Sequence, residues 1–514
     1  GGDEIPGALR ELLLARLARL PAAARQATAA AAVGGDPVGH QLLMSAAGIP
    51  EADLLEALRA AVDGQVLSVV NGDYAFRHAL IREVVYADLL PGEHIRLHRR
   101  FAEALQARPE LVGPERLASA QAHHWLLAQE PAEALPALLR AAAGAAAMAA
   151  WSEQHHLLTR ALQLWPDVDE PGPDHLQVLE SAITAAHRAG EQQQALALLE
   201  QALAEADRSR EPERVAALLA RRSALLLNLS REGAMEAARD AVRVAPPDSP
   251  AHAQGLDVLS AALGAQGRLP EAADAARRAI EIAVELGEPE LLIPARTSYG
   301  LKLSRLDRHE EALAELRAAK ALAEEGNDGR GLARVELNLA FLLWESGRYA
   351  EAADLARVGT AAAHAAGLAR TLGSHIAGLG AAALFAMGRW AEADAVLVQT
   401  LDDDPTEVFA IYPQLLAAEL AAARGDLGTA TRLLTLAQQL THQYGVTQGA
   451  LLAARVTAEV ALQEARITDA RHALRGVLDS TDRTDRTTLW WSLLNTAARV
   501  EAHVRAHARA FHSA

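Results

Sequence analysis

Apolar residues recur at three- and four-residue intervals along most of the chain. Leu9, Leu12, Leu13, Leu17 and Leu20 ahead of Pro21 are the first such run, and this is the period that lays one face of an α-helix on a core. A second helix is predicted to about Val33, ended by Gly34-Gly35-Asp36, with further helices near 37–46 and 51–62. The period then breaks. Gln65-Val66-Leu67-Ser68-Val69-Val70 is β-branched, Asn71-Gly72-Asp73 signals a tight hairpin, and Tyr74-Ala75-Phe76 supplies a return strand. Helices followed by a small hairpin, with a long helix starting at about Arg77, predict a winged helix.

From about residue 172 a pattern repeats: a small turn, a polar residue, then Ala. It reads Gly267-Arg268-Leu269-Pro270-Glu271-Ala272, Gly347-Arg348-Tyr349-Ala350-Glu351-Ala352 and Gly388-Arg389-Trp390-Ala391-Glu392-Ala393, with cognate forms ending at Ala195, Ala312 and Ala430 and weaker ones at Ala237 and Ala470. These eight alanines are spaced 42, 35, 40, 40, 41, 37 and 40 residues apart. A period near 40 with a helix on each side of the turn predicts a tetratricopeptide-like array, the small residue standing where two helices of a hairpin approach closely. The expected fold is therefore all-α: a winged-helix segment over 6–105, a helical arm with degenerate repeats over 106–171, and a right-handed superhelix of about eight hairpins over 172–512. Gly1-Gly2 without a Met reads as a scar, and 1–5 as scar or linker.

Composition sharpens this. Apolar residues make up 51% of the 514, aromatics only 4%, and the Ala and Leu bias suits close-packed helices. The formal net charge is −17 with no dense basic run, which argues against direct nucleic-acid binding. Cysteine is absent, which excludes disulfides, thiolate zinc sites and cysteine nucleophiles. Apolar stretches such as 376–388 are shorter than a bilayer span, so neither a membrane partner nor a location outside the cytoplasm is expected. No phosphate-binding G-x-x-x-x-G-K-[ST], no G-x-S-x-G, no H-E-x-x-H and no Ca²⁺ loop occurs. An enzyme is not expected, and neither is a cofactor or metal.

Phe76-Arg77-His78-Ala79-Leu80-Ile81-Arg82-Glu83-Val84-Val85-Tyr86, then His94-Ile95-Arg96-Leu97-His98-Arg99-Arg100-Phe101-Ala102-Glu103-Ala104-Leu105, resembles the block behind the ATPase core of large ATP-binding regulators of the LuxR family. Ala122-His123-His124-Trp125, Trp151 and Arg160-Ala161-Leu162 are similar to the family's first helical repeats. The likeness covers roughly 6–170. It implies a parent whose ATPase core precedes residue 1 and whose DNA-binding helix-turn-helix follows residue 514, with ATP or ADP bound on that core and contacted by His78. It also implies an effector-sensing role, since a related maltotriose-responsive activator binds its inducer in a similar superhelix. The alternative is a protein-interaction scaffold from another signalling protein, such as a cyclase or kinase regulator.

Within the repeats, the inner face of the superhelix is the expected binding surface. Counting back from each recurring Ala gives inward positions at Asp257, Thr297, Arg305, Arg334, Phe341, Trp344, Glu345, His375, Phe385, Tyr412, Glu419, Arg455 and Glu459. Aromatics with charged neighbours suggest a pocket for a small molecule or a regulatory protein. The effector site is thus expected at Arg305, Arg334, Phe341, Trp344, Glu345, His375, Phe385, Tyr412 and Glu419. Among the histidines, His503, His507 and His512 read as a solvated helix end. His123-His124 and His155-His156 read as adjacent residues on different helix faces.

Overall fold

The computed structural model describes residues 7–169, 172, 174–444, 447–480 and 488–512. About 81% of the chain is helical, and the only sheet among the described residues is one antiparallel hairpin. The chain separates into two compact units, Gly1–Asp174 and His175–Ala514.

The first unit begins with α1 (Gly7–Leu17), α2 (Ala22–Gly34), α3 (His40–Ala46) and α4 (Glu51–Asp63). The hairpin β1 (Leu67–Val70) and β2 (Asp73–Phe76) follows. Its register pairs Leu67 with Phe76 and Val70 with Asp73. Asn71 and Gly72 carry φ of 53° and 91°, the left-handed pair that a two-residue turn needs to match strand twist. Val38 bridges Tyr74, and Asp36 Oδ1 accepts the Phe76 amide at 3.0 Å. Then come α5 (Ala79–Asp88), α6 (Pro91–Ala107), α7 (Pro114–Leu127), α8 (Pro131–Ala147) and α9 (Trp151–Leu164). Helix α5 starts two residues later than the sequence suggests. Buried Ala24, Ala27, Ala30 and Ala31 of α2 let neighbouring helices pack closely, and Phe101 is fully buried beside Gly34, where a Cβ would lie 2.5 Å from its ring.

The second unit is a run of helical hairpins. Their first helices are α10 (His175–Ala189), α12 (Pro212–Asn228), α14 (Pro250–Ala265), α16 (Pro289–Arg305), α18 (Gly329–Glu345), α20 (Ser374–Ala386), α22 (Ile411–Ala423) and α24 (Thr447–Gln463). Their second helices are α11 (Gln192–Glu205), α13 (Ala234–Val244), α15 (Leu269–Leu286), α17 (His309–Glu325), α19 (Tyr349–Ala365), α21 (Trp390–Asp402), α23 (Leu427–Tyr444) and α25 (Ile467–Ser480). A last helix, α26 (Thr488–His512), packs on α24 and α25.

Each recurring alanine is the fourth residue of a second helix, and all eight are at most 1% exposed. Five residues before most of them the backbone turns left-handed, as at Gly267 (74°), Asp307 (62°), Gly347 (73°), Gly388 (76°) and Gly425 (82°). The next amide then reaches back five residues: Arg308 to Leu303 O at 2.9 Å, Arg348 to Leu343 O at 2.9 Å, Arg466 to Ala461 O at 2.8 Å. This is the helix-ending motif in which a left-handed residue lets orphan carbonyls be satisfied. The following Arg closes onto the Glu three residues on, in Arg268–Glu271, Arg308–Glu311, Arg348–Glu351 and Arg389–Glu392. In six of the eight hairpins the first helix is also small and buried twelve residues before the alanine, at Ser260, Gly300, Ala340, Ala381, Ala418 and Ala458, while Ile183 and Leu225 stand there in the first two. At Gly300 a Cβ would meet Ala312 O at 3.2 Å and Leu316 Cγ at 3.0 Å. The backbones of a hairpin therefore touch.

That contact can be tested. Ala312→Leu should destabilise the array by about 1–3 kcal/mol, the cost of overpacking a close contact, measured by urea denaturation. A loss within experimental error would show that the helices of a hairpin can part without penalty.

Candidate functional site

The array closes on itself between its first hairpin and the segments around α20 and α22. Gly190, at φ 91°, comes so near Thr406 that a Cβ would lie 1.9 Å from its Oγ1 and 2.9 Å from Thr371 Cγ2. The Gln192 amide donates to Glu407 Oε2 at 2.9 Å, and Thr406 Oγ1 donates to Ala189 O at 3.4 Å. Across the same turn Arg330 Nη2 donates to His187 Nε2 at 2.8 Å. His187 therefore carries its proton on Nδ1, which faces Gln192 Oε1 at 3.1 Å. Burial, then Arg330, push the His187 pKa down to about 3, so a neutral imidazole accepts from a guanidinium.

The receiving side of this closure is irregular. Residues Ala369–Gly373 form a short wide helical turn with Thr371 at φ −123°, ψ −105°. Asp404 and Glu407 are left-handed at 53° and 44°. Arg370 holds this stretch, donating to Asp404 O at 2.6 Å and Asp404 Oδ2 at 2.7 Å. Non-glycine residues in such conformations cost stability and gather where surrounding structure fixes them.

Four first helices bring cations together inside the turn. Arg330 of α18 lies near Arg334 on its own helix, Arg188 of α10 and Arg221 of α12. Burial first, then Arg334, Arg188 and Arg221, lower its pKa to about 10, against the opposing pull of Asp328. Lys302 of α16 is only 8% exposed. Burial, with Arg305 and Arg334, takes its pKa down to about 8, although Asp257 of α14 works the other way. Solvent reaches Arg221, Arg330 and Arg334, yet surrounding protein lowers the pKa of the first two. Arg305 donates to Gly264 O at 3.1 Å.

The residues expected from sequence fall into separate groups. Arg305 and Arg334 join the cations. Further along, Tyr412 neighbours His375, Glu345 and Glu419: its ring is 6.1 Å from that of His375, and burial raises its pKa, Arg455 opposing and Glu345 and Glu419 adding to the rise. Glu419 pairs with Arg455 at 2.5 Å, and Glu459 pairs with Arg499 at 2.5 Å. Trp344 leans on the core of α16–α19, with Phe341 6.4 Å away, so packing claims much of it. Phe385 meets Trp390 at 5.6 Å at the end of its hairpin rather than the His375–Tyr412 group. Thr297, expected to face inward, is fully buried and bonds its hydroxyl to Ile293 O at 2.6 Å. Sequence reasoning missed His187, Arg188, Arg221, Lys302 and Arg330. The one available signal was Lys302, one of two lysines in the chain.

The first unit holds a second constellation. The donor nitrogens of His98, His123 and His124 lie within 4.8 Å of one another, the only such metal-capable group among the described residues. The adjacent pair, read from spacing as divergent, does converge once α6 supplies His98. His98 Nδ1 sits 2.9 Å from His124 Nδ1, and His98 Nε2 sits 3.0 Å from the Tyr86 hydroxyl. These bonds occupy both ring nitrogens of His98 and Nδ1 of His124. His78 lies at the N-cap of α5, exposed, its side chain making no capping bond. The side chains of His507 and His512 lie outside the described residues; His503 is exposed on α26.

No protein family matches the chain, and no curated protein does. Solved structures similar to it include a signal-transduction ATPase with numerous domains and a tetratricopeptide-repeat sensor from Pyrococcus horikoshii, at 12% identity and TM-score 0.37 over 88% of this chain and 67% of that one. Others are a Rap protein complexed with competence and sporulation factor, at 12% and 0.47 over 71% and 100%, and yeast Tom70, at 12% and 0.40 over 80% and 93%. The repeat geometry described above, rather than these scores, carries the tetratricopeptide-like assignment. No helix among the described residues is long and apolar enough to cross a membrane.

Buried neutral histidines set an acid dependence. Burial lowers His98 to about 4 and His124 to about 3, as it lowers His187 to about 3 and His375 to about 4. Below pH 6.5 the unfolded chain takes up protons that the folded one refuses, so stability falls as pH drops from about 6.5 toward 4. The urea midpoint should drop across that window, and less so in His187→Gln. A midpoint that stays level would show that these rings are protonated in the native state.

Proposed function

We propose that this chain is the effector-sensing region of a bacterial transcription regulator of the kind its 76–105 block resembles. A small molecule held inside the closed turn shifts the parent between resting and active forms. One observation carries the reading: contacts from Gly190 and Gln192 to Thr406 and Glu407 shut the turn, and an enclosed face suits a small ligand better than an extended partner. A ligand can bias such a region only by binding one state better than the other. A molecule touching α10, α12, α16 and α18 together binds the shut turn better than an open one.

The first unit fits the same reading. Helices α2–α4 and the β1–β2 hairpin support a winged helix behind an ATPase core, with exposed His78 free to sense ADP on that core. ATP binding and DNA binding then belong to the parent, and this region is cytoplasmic and not itself an enzyme. The second reading, a protein-interaction scaffold, is favoured by Val358, Val398 and Leu436, which are exposed on α19, α21 and α23 of successive hairpins.

The two separate in a metabolite screen followed by hydrogen exchange. A small-molecule effector should raise the melting temperature and slow exchange at the Gln192 and Thr406 amides. Gly190→Val, which cannot keep both the left-handed turn and the contact with Thr406, should weaken its affinity by at least tenfold. Thr406→Ala, a milder change, should weaken it in the same direction. Binding confined to protein partners and blocked by Val398→Asp would replace the sensor with the scaffold.

A further inference from the structure

The chemistry inside the closed turn specifies more than its enclosure. The chain has 66 acidic residues against 49 basic ones, and many of its arginines lie in ion pairs, such as Arg214–Glu180, Arg296–Glu315 and Arg455–Glu419. Arg221, Lys302, Arg330 and Arg334 make no ion pair with a carboxylate among the described residues, though acids are plentiful. They come from three different first helices, α12, α16 and α18, so helical spacing does not explain their meeting.

Lys302 is the telling member. A lysine 8% exposed is uncommon unless an anion or acceptor meets its ammonium. Its stem lies along α14, where a Cβ on Gly264 would come 2.8 Å from Lys302 Cε and 3.2 Å from Nζ. Gly264 thus leaves the room that the lysine occupies. Four groups bear on it: Asp257 from α14, Arg305 on its own helix, Arg334 from α18, and the protein that buries it. Asp257 is not close enough to form a bridge, and its own Oδ1 is buried without a hydrogen-bond partner. The buried ammonium thus has cations of two helices around it and no bridging carboxylate among the described residues.

Resting on the sensor reading above, we propose that the closed turn binds a compact phosphorylated metabolite, its phosphate oxygens held by Arg221, Lys302, Arg330 and Arg334. Two or more negative charges suit a row of cations in which Arg334 bears on both Lys302 and Arg330, and Arg221 bears on Arg330. Planar guanidinium forks from separate helices match the several acceptor oxygens of a phosphate. His187 contributes as a neutral ring that fixes the Arg330 guanidinium through the 2.8 Å bond and adds no charge of its own. Asp257 sets specificity, its free oxygen being an acceptor for a hydroxyl of the metabolite and a deterrent to excess charge on that side.

Inorganic pyrophosphate is the probe, titrated calorimetrically into the whole chain, with citrate and a neutral trisaccharide in parallel. One pyrophosphate should bind per chain, more weakly as salt rises. Arg334→Gln and Arg330→Gln should each weaken it about tenfold to a hundredfold, as loss of a charge-assisted hydrogen bond does. Lys302→Met should weaken it too, while raising the melting temperature of the free protein, because it removes a buried charge; that pair of effects excludes simple misfolding. Affinity should decline as pH rises through about 8, since bound anion favours the charged lysine. Absence of pyrophosphate binding at millimolar concentration, or binding unchanged in Arg330→Gln and Arg334→Gln, would overturn the proposal. So would citrate binding where pyrophosphate does not. A neutral metabolite that slows exchange at Gln192 and Thr406 would overturn the anion assignment yet leave the sensor standing. Pyrophosphate held by these four residues with exchange unchanged would uphold the anion site and remove the sensor reading.

Discussion

The close approach of two helix backbones in each hairpin is the contact on which the rest of this structure depends. It needs a small buried residue at the fourth position of each second helix and, in six of the eight hairpins, another twelve residues earlier on the first, as Ala312 and Gly300 illustrate. It also needs a left-handed residue between them, so that the chain can reverse with its terminal carbonyls satisfied. With these fixed, each hairpin stands in nearly the same relation to the next, and an array whose neighbours repeat one geometry curves steadily. Curvature is what returns Gly190 to Thr406. The enclosed turn is thus a distant result of a very local constraint.

Enclosure changes the electrostatics of the residues it surrounds. On an open surface Arg330 and Arg334 would be two among many solvated guanidiniums, screened within about 10 Å at 0.1 M salt. Inside the turn Arg334, Arg188 and Arg221 disfavour the charge on a largely dehydrated Arg330, and Arg305 and Arg334 disfavour that on Lys302. A protein of net charge −17 gains nothing in folding stability from this clustering. Such a cluster is relieved when something negative enters.

The repeat was plain in the sequence because it is written locally: turn, polar residue and Ala lie within six positions of each other. The hairpin at 67–76 was plain for the same reason, its Asn71-Gly72 turn sitting between two β-branched or aromatic stretches. The small residues at Ser260, Gly300 and Ala340 were overlooked, because in an alanine-rich chain a buried Ala looks like any other. Closure was illegible. It joins Gln192 to Glu407 across 215 positions, and whether an array returns on itself depends on small rotations summed over several hairpins. Arg305 and Arg334 were found by counting along a helix, but Arg188, Arg221 and Arg330 gain significance only once closure sets α10 and α12 beside α18. The three histidines escaped in the same way: adjacency along α7 suggested that His123 and His124 point apart, and only α6, folded across them, supplies the third ring.

The division between regular and irregular backbone suggests where such a region can respond. Most hairpins repeat the same turn and have buried small residues on both helices, so bending any one of them alone would open a close-packed contact. The exception lies between α19 and α22. There the wide turn at Ala369–Gly373 and the left-handed Asp404 and Glu407 replace regular connections, and a side chain, Arg370, holds what backbone pairing holds elsewhere. This segment is also the one that meets the first hairpin. Its hydrogen bonds are few and involve side chains at Thr406 and Glu407, so it can separate at less cost than a core contact. The turn is therefore rigid around most of its circumference and weakest at its seam, and a ligand that spans the seam acts at the one place where a modest binding energy can decide between shut and open.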